Sequence, residues 1–179
     1  MLSYVIEHIE VVIKTRIAYY HSLKYGPLGF LDSNNYNNKF DENTLQANLN
    51  KYIKRNEKNP IVIHHMTKYE GKFPLWVIIE FFDFSDASKM YSQLDTKLQK
   101  EIARTFNSNS TCLSSWLYCL THLRNCCAHY ARIYNTIMIS IPVTPKNYKS
   151  LYFLKKKIIF IQKLFNQFFL CVSTHFHSD

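Results

Sequence analysis

The sequence predicts an all-α fold, on three observations. Glycine is rare, with 3 in 179 residues, so the tight turns that join strands are scarce. Apolar residues make up 47% of the chain and recur at three- and four-residue spacings over long segments rather than in alternation. Proline and polar clusters interrupt these segments at intervals that suit helices. The length suits one domain, residues 1–179, with a continuous core.

Residues 3–24 carry Ile6, Ile9, Ile13, Ile17 and Tyr20 on one helical stripe. Glu10 and Lys14 make a favourable pair one turn apart on the other side. Tyr25-Gly26-Pro27 closes this helix, with the glycine as C-terminal cap and the proline as stop. The Asn-rich run 31–43 is a polar loop. A short basic helix is expected over 44–57, broken at Lys58-Asn59-Pro60. The run 61–71, which opens Ile61-Val62-Ile63-His64-His65-Met66, suits either a strand or the buried start of a helix. Pro74 stands where a helix accepts its first-turn proline, ahead of Leu75-Trp76-Val77. Ser85 or Asp86 can cap a short helix through Leu94, and Asp95 another with Leu98, Ile102 and Phe106 on one face. After a loop at 107–111, a long helix is expected over 113–135. Pro142 and Pro145 mark a connection, and 147–172 reads as a last, basic amphipathic helix.

The net charge is +9, from 22 Lys and Arg against 13 Asp and Glu. An acidic partner follows from that balance, nucleic acid first; the codon bias of an AT-rich genome is an equally good explanation. The cysteines, Cys112, Cys119, Cys126, Cys127 and Cys171, are odd in number, and two are neighbours. That argues against a disulfide framework and for a reducing, cytoplasmic location. They lack the C-x-x-C spacing of a zinc site, and neither a metal nor a cofactor is expected. The first ten residues hold two glutamates and no cleavage signal, unlike a signal peptide. The apolar run 158–172 is broken by Lys163, Asn166 and Gln167, too short and too polar to span a bilayer.

Residues 123–132, LRNCCAHYAR, concentrate the candidate chemistry. On the expected helix, Leu120, Leu123, Cys127, Tyr130 and Tyr134 form an apolar stripe. His122, Asn125, His129 and Arg132 lie opposite, with Arg124 flanking them beside Ala128. An ordinary wet face in this chain would carry Lys and Glu, yet no acid and no lysine occurs over 113–136. A solvated helix face is the plain alternative. A metal site at Cys126, Cys127 and His129 is disfavoured because Cys127 falls on the apolar stripe, where packing explains it. His64 and His65 are adjacent and point to different sides, a poor chelate, so they read as structural or surface residues. Trp76 and Trp116 read as core anchors. Lys155, Lys156 and Lys157 either track an RNA backbone or form a solvated helix end. That last helix is expected to pack on the bundle or on a second subunit.

Arg124-Asn125-x-x-x-His129 resembles the R-x4-6-H motif of the HEPN superfamily. More specifically, the segments EVVIKTRIAYYHSLKYGPLGFLD (10–32), FPLWVIIEFFDFSDASKMY (73–91) and LSSWLYCLTHLRNCCAHYARIYN (113–135) resemble the Abi-like abortive-infection proteins of bacteria. Family members usually carry a further N-terminal segment, which this chain is expected to lack. FDFSD at 82–86 stands where the family tends to have a glycine. The resemblance implies a HEPN-like helical bundle and a metal-independent endoribonuclease of the abortive-infection or toxin type. Attack by the RNA's own 2′-OH would leave a 2′,3′-cyclic phosphate and a 5′-hydroxyl. Histidine carries protons near neutral pH, and arginine offers a planar fork of donors to phosphoryl oxygens. His129 is therefore assigned as acid or base, Arg124 as the phosphate ligand and Asn125 as an orienting group. Arg132, His122, Lys155, Lys156 and Lys157 would extend the RNA-binding surface. One helix presents one motif histidine, so the resemblance also implies a homodimer that brings two motifs together. A toxin further implies an RNA or protein antitoxin. The alternative is a non-catalytic RNA-binding module held by a structured small RNA or a partner protein; a third is a purely structural interaction domain.

Overall fold

A computed structural model describes residues 2–131 and residue 143 of the chain. Seven α-helices make up most of the described residues, and no strand occurs among them. They are α1 (Leu2–Tyr25), α2 (Glu42–Arg55), α3 (Pro60–Lys68), α4 (Leu75–Ile78), α5 (Phe84–Gln93), α6 (Thr96–Arg104) and α7 (Ser110–Ala128). No helix among these residues is long and apolar enough to cross a membrane. The chain divides into two compact units, one of residues 10–99 and one of residues 1–9 with the chain from Lys100 onward.

Most helices begin where a side chain can accept from their orphan N–H groups. The Asp41 carboxylate takes the Asn43 N–H at 3.1 Å and opens α2 two residues earlier than the expected start. The Asn59 amide oxygen takes the Ile61 N–H at 2.9 Å, and Pro60 fills the first turn. Those two features resolve the ambiguous run 61–71 as the helix α3 through Lys68 and the turn that follows it, not a strand. Asp95 accepts from the backbone of Lys97 and Leu98 at the start of α6, as expected. Its carboxylate also meets the Lys24 ammonium at 2.9 Å; that contact, first, and then the backbone donors hold its pKa below the usual carboxylate range.

Several expectations need correction. α5 starts after Asp83, not at Ser85 or Asp86. Pro74 sits just before the first turn of α4, which is one turn long and runs into a 3-10 turn over Ile79–Phe81. Trp116 is buried as expected, but Trp76 is 51% exposed. The connection at Pro142 and Pro145, the helix over 147–172 and Cys171 lie outside the described residues.

In the unit of residues 10–99, Ile13 and Ile17 of α1, Leu49 and Tyr52 of α2, Val62 of α3 and Leu75 and Ile78 of α4 are buried, with Phe84, Tyr91 and Leu94. Tyr52 carries the polar hub of this core. Its hydroxyl accepts the Asp83 N–H at 2.9 Å and donates to the Asp86 carboxylate. Burial first, and then the bond to Asp86, push the Tyr52 pKa far up. This contact ties α2 to the start of α5, where Asp83 supplies no side-chain cap of its own.

His21 of α1 is the contrasting case. It is fully buried, its ring 5.0 Å from Tyr25 and 5.8 Å from Tyr36, and neither ring nitrogen has a hydrogen-bond partner among the described residues. Burial, and then the Lys24 charge, lower its pKa from 6.5 to about 4. The neutral ring is thus a shape-filling aromatic, and charging it is costly.

Two predictions follow from these groups. Tyr52→Phe strips a partner from both Asp83 N–H and Asp86, and is expected to cost about 1–3 kcal/mol in urea unfolding at pH 7. The unfolded chain protonates His21 near pH 6.5 and the folded chain near pH 4. The stability tied to the neutral ring is complete above pH 6.5, falls as the pH drops towards 4, and changes no further below that, about 3 kcal/mol in all. His21→Leu is expected to flatten that part of the acid limb when unfolding is compared at pH 7 and pH 4.5.

Candidate functional site

The motif lies on α7, in the unit that includes the chain from Lys100. Asn109 caps this helix, its side chain accepting the Cys112 N–H at 2.9 Å. The buried residues Cys112, Leu113, Trp116, Leu117, Cys119, Leu120 and Leu123 fall within an arc of about 160° at 100° per residue. The Trp116 indole N–H donates to the Val143 carbonyl at 2.8 Å, and the Val143 N–H to the Ser115 hydroxyl at 2.9 Å. One side of α7 is therefore anchored, and His122, Asn125 and His129 project from the other.

The helix stops at Ala128, seven residues before the expected end. Ala131 N–H bonds to Cys126 carbonyl at 2.8 Å and Tyr130 N–H to Cys127 carbonyl at 3.3 Å. That pair of bonds is a Schellman closure, which needs a left-handed residue at its centre. The residue there is Tyr130, at φ 52, where glycine is usual and a bulky side chain is strained. Tyr130 is 98% exposed, so its expected place on the apolar stripe is overturned. His129 becomes the cap residue, exposed, its N–H on Asn125 carbonyl at 3.0 Å.

The structure thus separates the motif residues. Asn125 and His129 are exposed on one side of α7, and His122 is half-buried there with its Nε2 3.7 Å from Cys126 Sγ. The imidazole beside Cys126 is His122, not His129. Arg124 is half-buried and lies on the arc of Leu117 and Leu120, about 140° in projection from His129. It does not flank the polar stripe as expected. Cys127 is half-buried, and burial, then its neighbour Cys126, push its thiol pKa up, as suits a packing residue more than a nucleophile. Arg132, Tyr134, Lys155, Lys156 and Lys157 lie outside the described residues. Among the described residues no group of three or more His, Cys, Asp or Glu side chains is placed to hold a metal ion.

Two features escaped the sequence reading. The stop at Ala128 has no glycine to announce it. A groove beside α3, lined by His64, His65, Tyr69 and Trp76, was signalled only by Gly71 after a run of aromatic and basic residues.

Among protein families, the model described as Abi-like protein matches residues 1–135, which include α1 to α7 and the whole motif. No curated protein and no solved structure matches the chain.

The left-handed tyrosine makes the helix end testable. Tyr130→Gly removes the conformational strain and loses no buried contact. It is expected to raise stability by up to about 1 kcal/mol and to slow amide exchange in the last turn of α7.

Proposed function

The chain belongs to the Abi-like family, named for abortive infection, and from that premise we propose that it is a metal-independent endoribonuclease acting on RNA at a composite site between two copies. The observation that carries this reading is the set Arg124, Asn125 and His129 at the capped end of α7, with His129 exposed. His129 is the proton carrier, Arg124 the ligand of the scissile phosphate, and Asn125 the group that orients one or the other. The 2′-OH is the nucleophile and the 5′-oxygen the leaving group. The imidazole takes the hydroxyl proton or delivers one to that oxygen, and the guanidinium stabilises the added charge on the phosphoryl oxygens.

The spacing of the motif supports the second copy. Five residues along a helix turn side chains about 140° apart, so one α7 cannot readily close both groups on one phosphate. A twofold axis beside the helix end brings Arg124 of one copy towards His129 of the other and supplies both an acid and a base. Cleavage in the cytoplasm, restrained by an RNA or protein antitoxin, completes the proposal. Arg132, His122 and Lys155, Lys156 and Lys157 belong to it as RNA-binding residues.

One observation favours the non-catalytic alternative: Arg124 is half-buried. In that reading the motif grips RNA and cuts nothing.

The deciding experiment incubates the protein with labelled single-stranded RNA in EDTA. Cleavage leaving cyclic phosphate and 5′-hydroxyl ends is expected, reduced about 100- to 10,000-fold by His129→Ala and comparably by Arg124→Ala. Mixing the two variants is expected to restore part of the activity, through sites that hold one intact arginine and one intact histidine. RNA that is bound, left whole by the wild type and held equally by His129→Ala would establish the binding module instead.

A further inference from the structure

The unit of residues 10–99 has a feature that the ribonuclease chemistry leaves unused. His64, His65, Lys68, Tyr69, Lys72 and Trp76 line an open groove of about 690 Å3, within the usual size of small-ligand pockets. Tyr69 and Trp76 are each 51% exposed, and both line the same groove, so two ring surfaces are open to a ligand there. The wall beneath them is built. His65 Nδ1 lies 3.0 Å from the Lys72 carbonyl oxygen, and the His65 ring is 5.0 Å from both Tyr69 and buried Phe73, stacked on the latter. The turn leaving α3 holds Glu70 at φ 53 and Gly71 at φ 72, which folds Lys72 back towards the helix.

Charge and ring faces together select the ligand. Lys68 and Lys72 are exposed cations. Glu70 meets Lys72 at 3.1 Å, with both side chains largely in water, so the pair is weak and readily exchanged for an anion. An acidic peptide would use the lysines and leave the rings wet. A base joined to a phosphate uses both, since stacking on an aromatic side chain and neutralising a phosphate are the two terms of single-strand binding. We propose that this groove binds a nucleotide unit, the base stacked on Trp76 and the phosphate held by Lys68 and Lys72. The nucleotide is free or part of a single strand; its assignment to RNA rests on the ribonuclease reading, whereas the groove's chemistry does not.

The test uses full-length His129→Ala protein in EDTA, so that cleavage does not intrude. Trp76 is a direct probe, because the other tryptophan, Trp116, is only 2% exposed. An oligoadenylate of twelve residues and AMP are titrated against tryptophan emission, and labelled oligonucleotide is followed by anisotropy. Quenching by the oligonucleotide at lower concentration than by AMP is expected. Trp76→Ala should weaken binding by roughly tenfold or more, while Trp76→Phe keeps most of it. Lys68→Ala should lower the salt slope by about 1, and Glu70→Gln should tighten binding.

Equal binding of AMP and oligonucleotide would support the groove and make the free nucleotide its source. Oligonucleotide binding indifferent to Trp76→Ala and Lys68→Ala would overturn the groove and leave the RNA reading standing. No response to either ligand would overturn the groove and leave the ribonuclease reading to the cleavage experiment, and capture of polyglutamate in their place would overturn the groove's nucleotide assignment.

Discussion

Everything at the motif depends on where the last carbonyls of α7 find donors. Had the helix continued, the Cys126 carbonyl would have been claimed by Tyr130; instead Ala131 claims it. That single exchange ends the helix, forces Tyr130 into the left-handed region and leaves His129 at the rim with its ring in solvent. A continuous helix would have carried His129 and Arg132 on one polar stripe. The closure ends that stripe at a terminus, with His129 as the cap residue. A strained residue beside the candidate proton carrier is the sort of outlier from which a functional hypothesis properly starts.

Much of the fold was legible because its signals are local. On the expected stripe Ile6, Ile9, Ile13 and Ile17 are buried and Tyr20 is half-buried, and Gly26 sits at φ 79 where α1 ends. Boundaries were read well where a cap was written in the residues, as at Asp95 and Gly26. They were missed where the stop depends on strain, since nothing in Cys126-Cys127-Ala128-His129-Tyr130 forbids another turn. The same limit applies to the candidate site. Periodicity told which residues share a side of α7, and it is right for Asn125 and His129. It misplaced Arg124, although a spacing of five already sets that residue apart from His129, because the eye groups the motif by sequence and the helix groups it by angle. Trp76 was missed for another reason: ring size argues for burial, and only the tertiary arrangement reveals a ring held half in water.

Two buried polar groups show how differently this chain handles such residues. Tyr52 gives and accepts one hydrogen bond each inside the core, so its burial joins two helices at small net cost. His21 has no such partners, so it stays neutral and acts as an aromatic filler next to Tyr25 and Tyr36. Replacing the first loses a connection; replacing the second loses only volume and a sensitivity to acid. Neither belongs to the candidate chemistry, which is confined to groups that solvent reaches.

A motif that cleaves RNA in the way proposed would have to solve two problems with separate residues. Binding energy spent on ground state and transition state alike does not accelerate the chemical step, so the arginine and histidine must be reserved for the phosphoryl group as its charge develops. Holding the strand has to come from elsewhere. Phosphate neutralisation is one source, which under the proposed reading the net charge of +9 would supply in bulk. It is also indiscriminate and fades with salt. Stacking on exposed rings is the other source, less sensitive to salt and tied to a particular register along the strand. A half-exposed indole beside a lysine-flanked groove is the physical form such a hold would take under the proposal. A chain with few glycines and stiff helical supports can keep that ring presented without first ordering a loop.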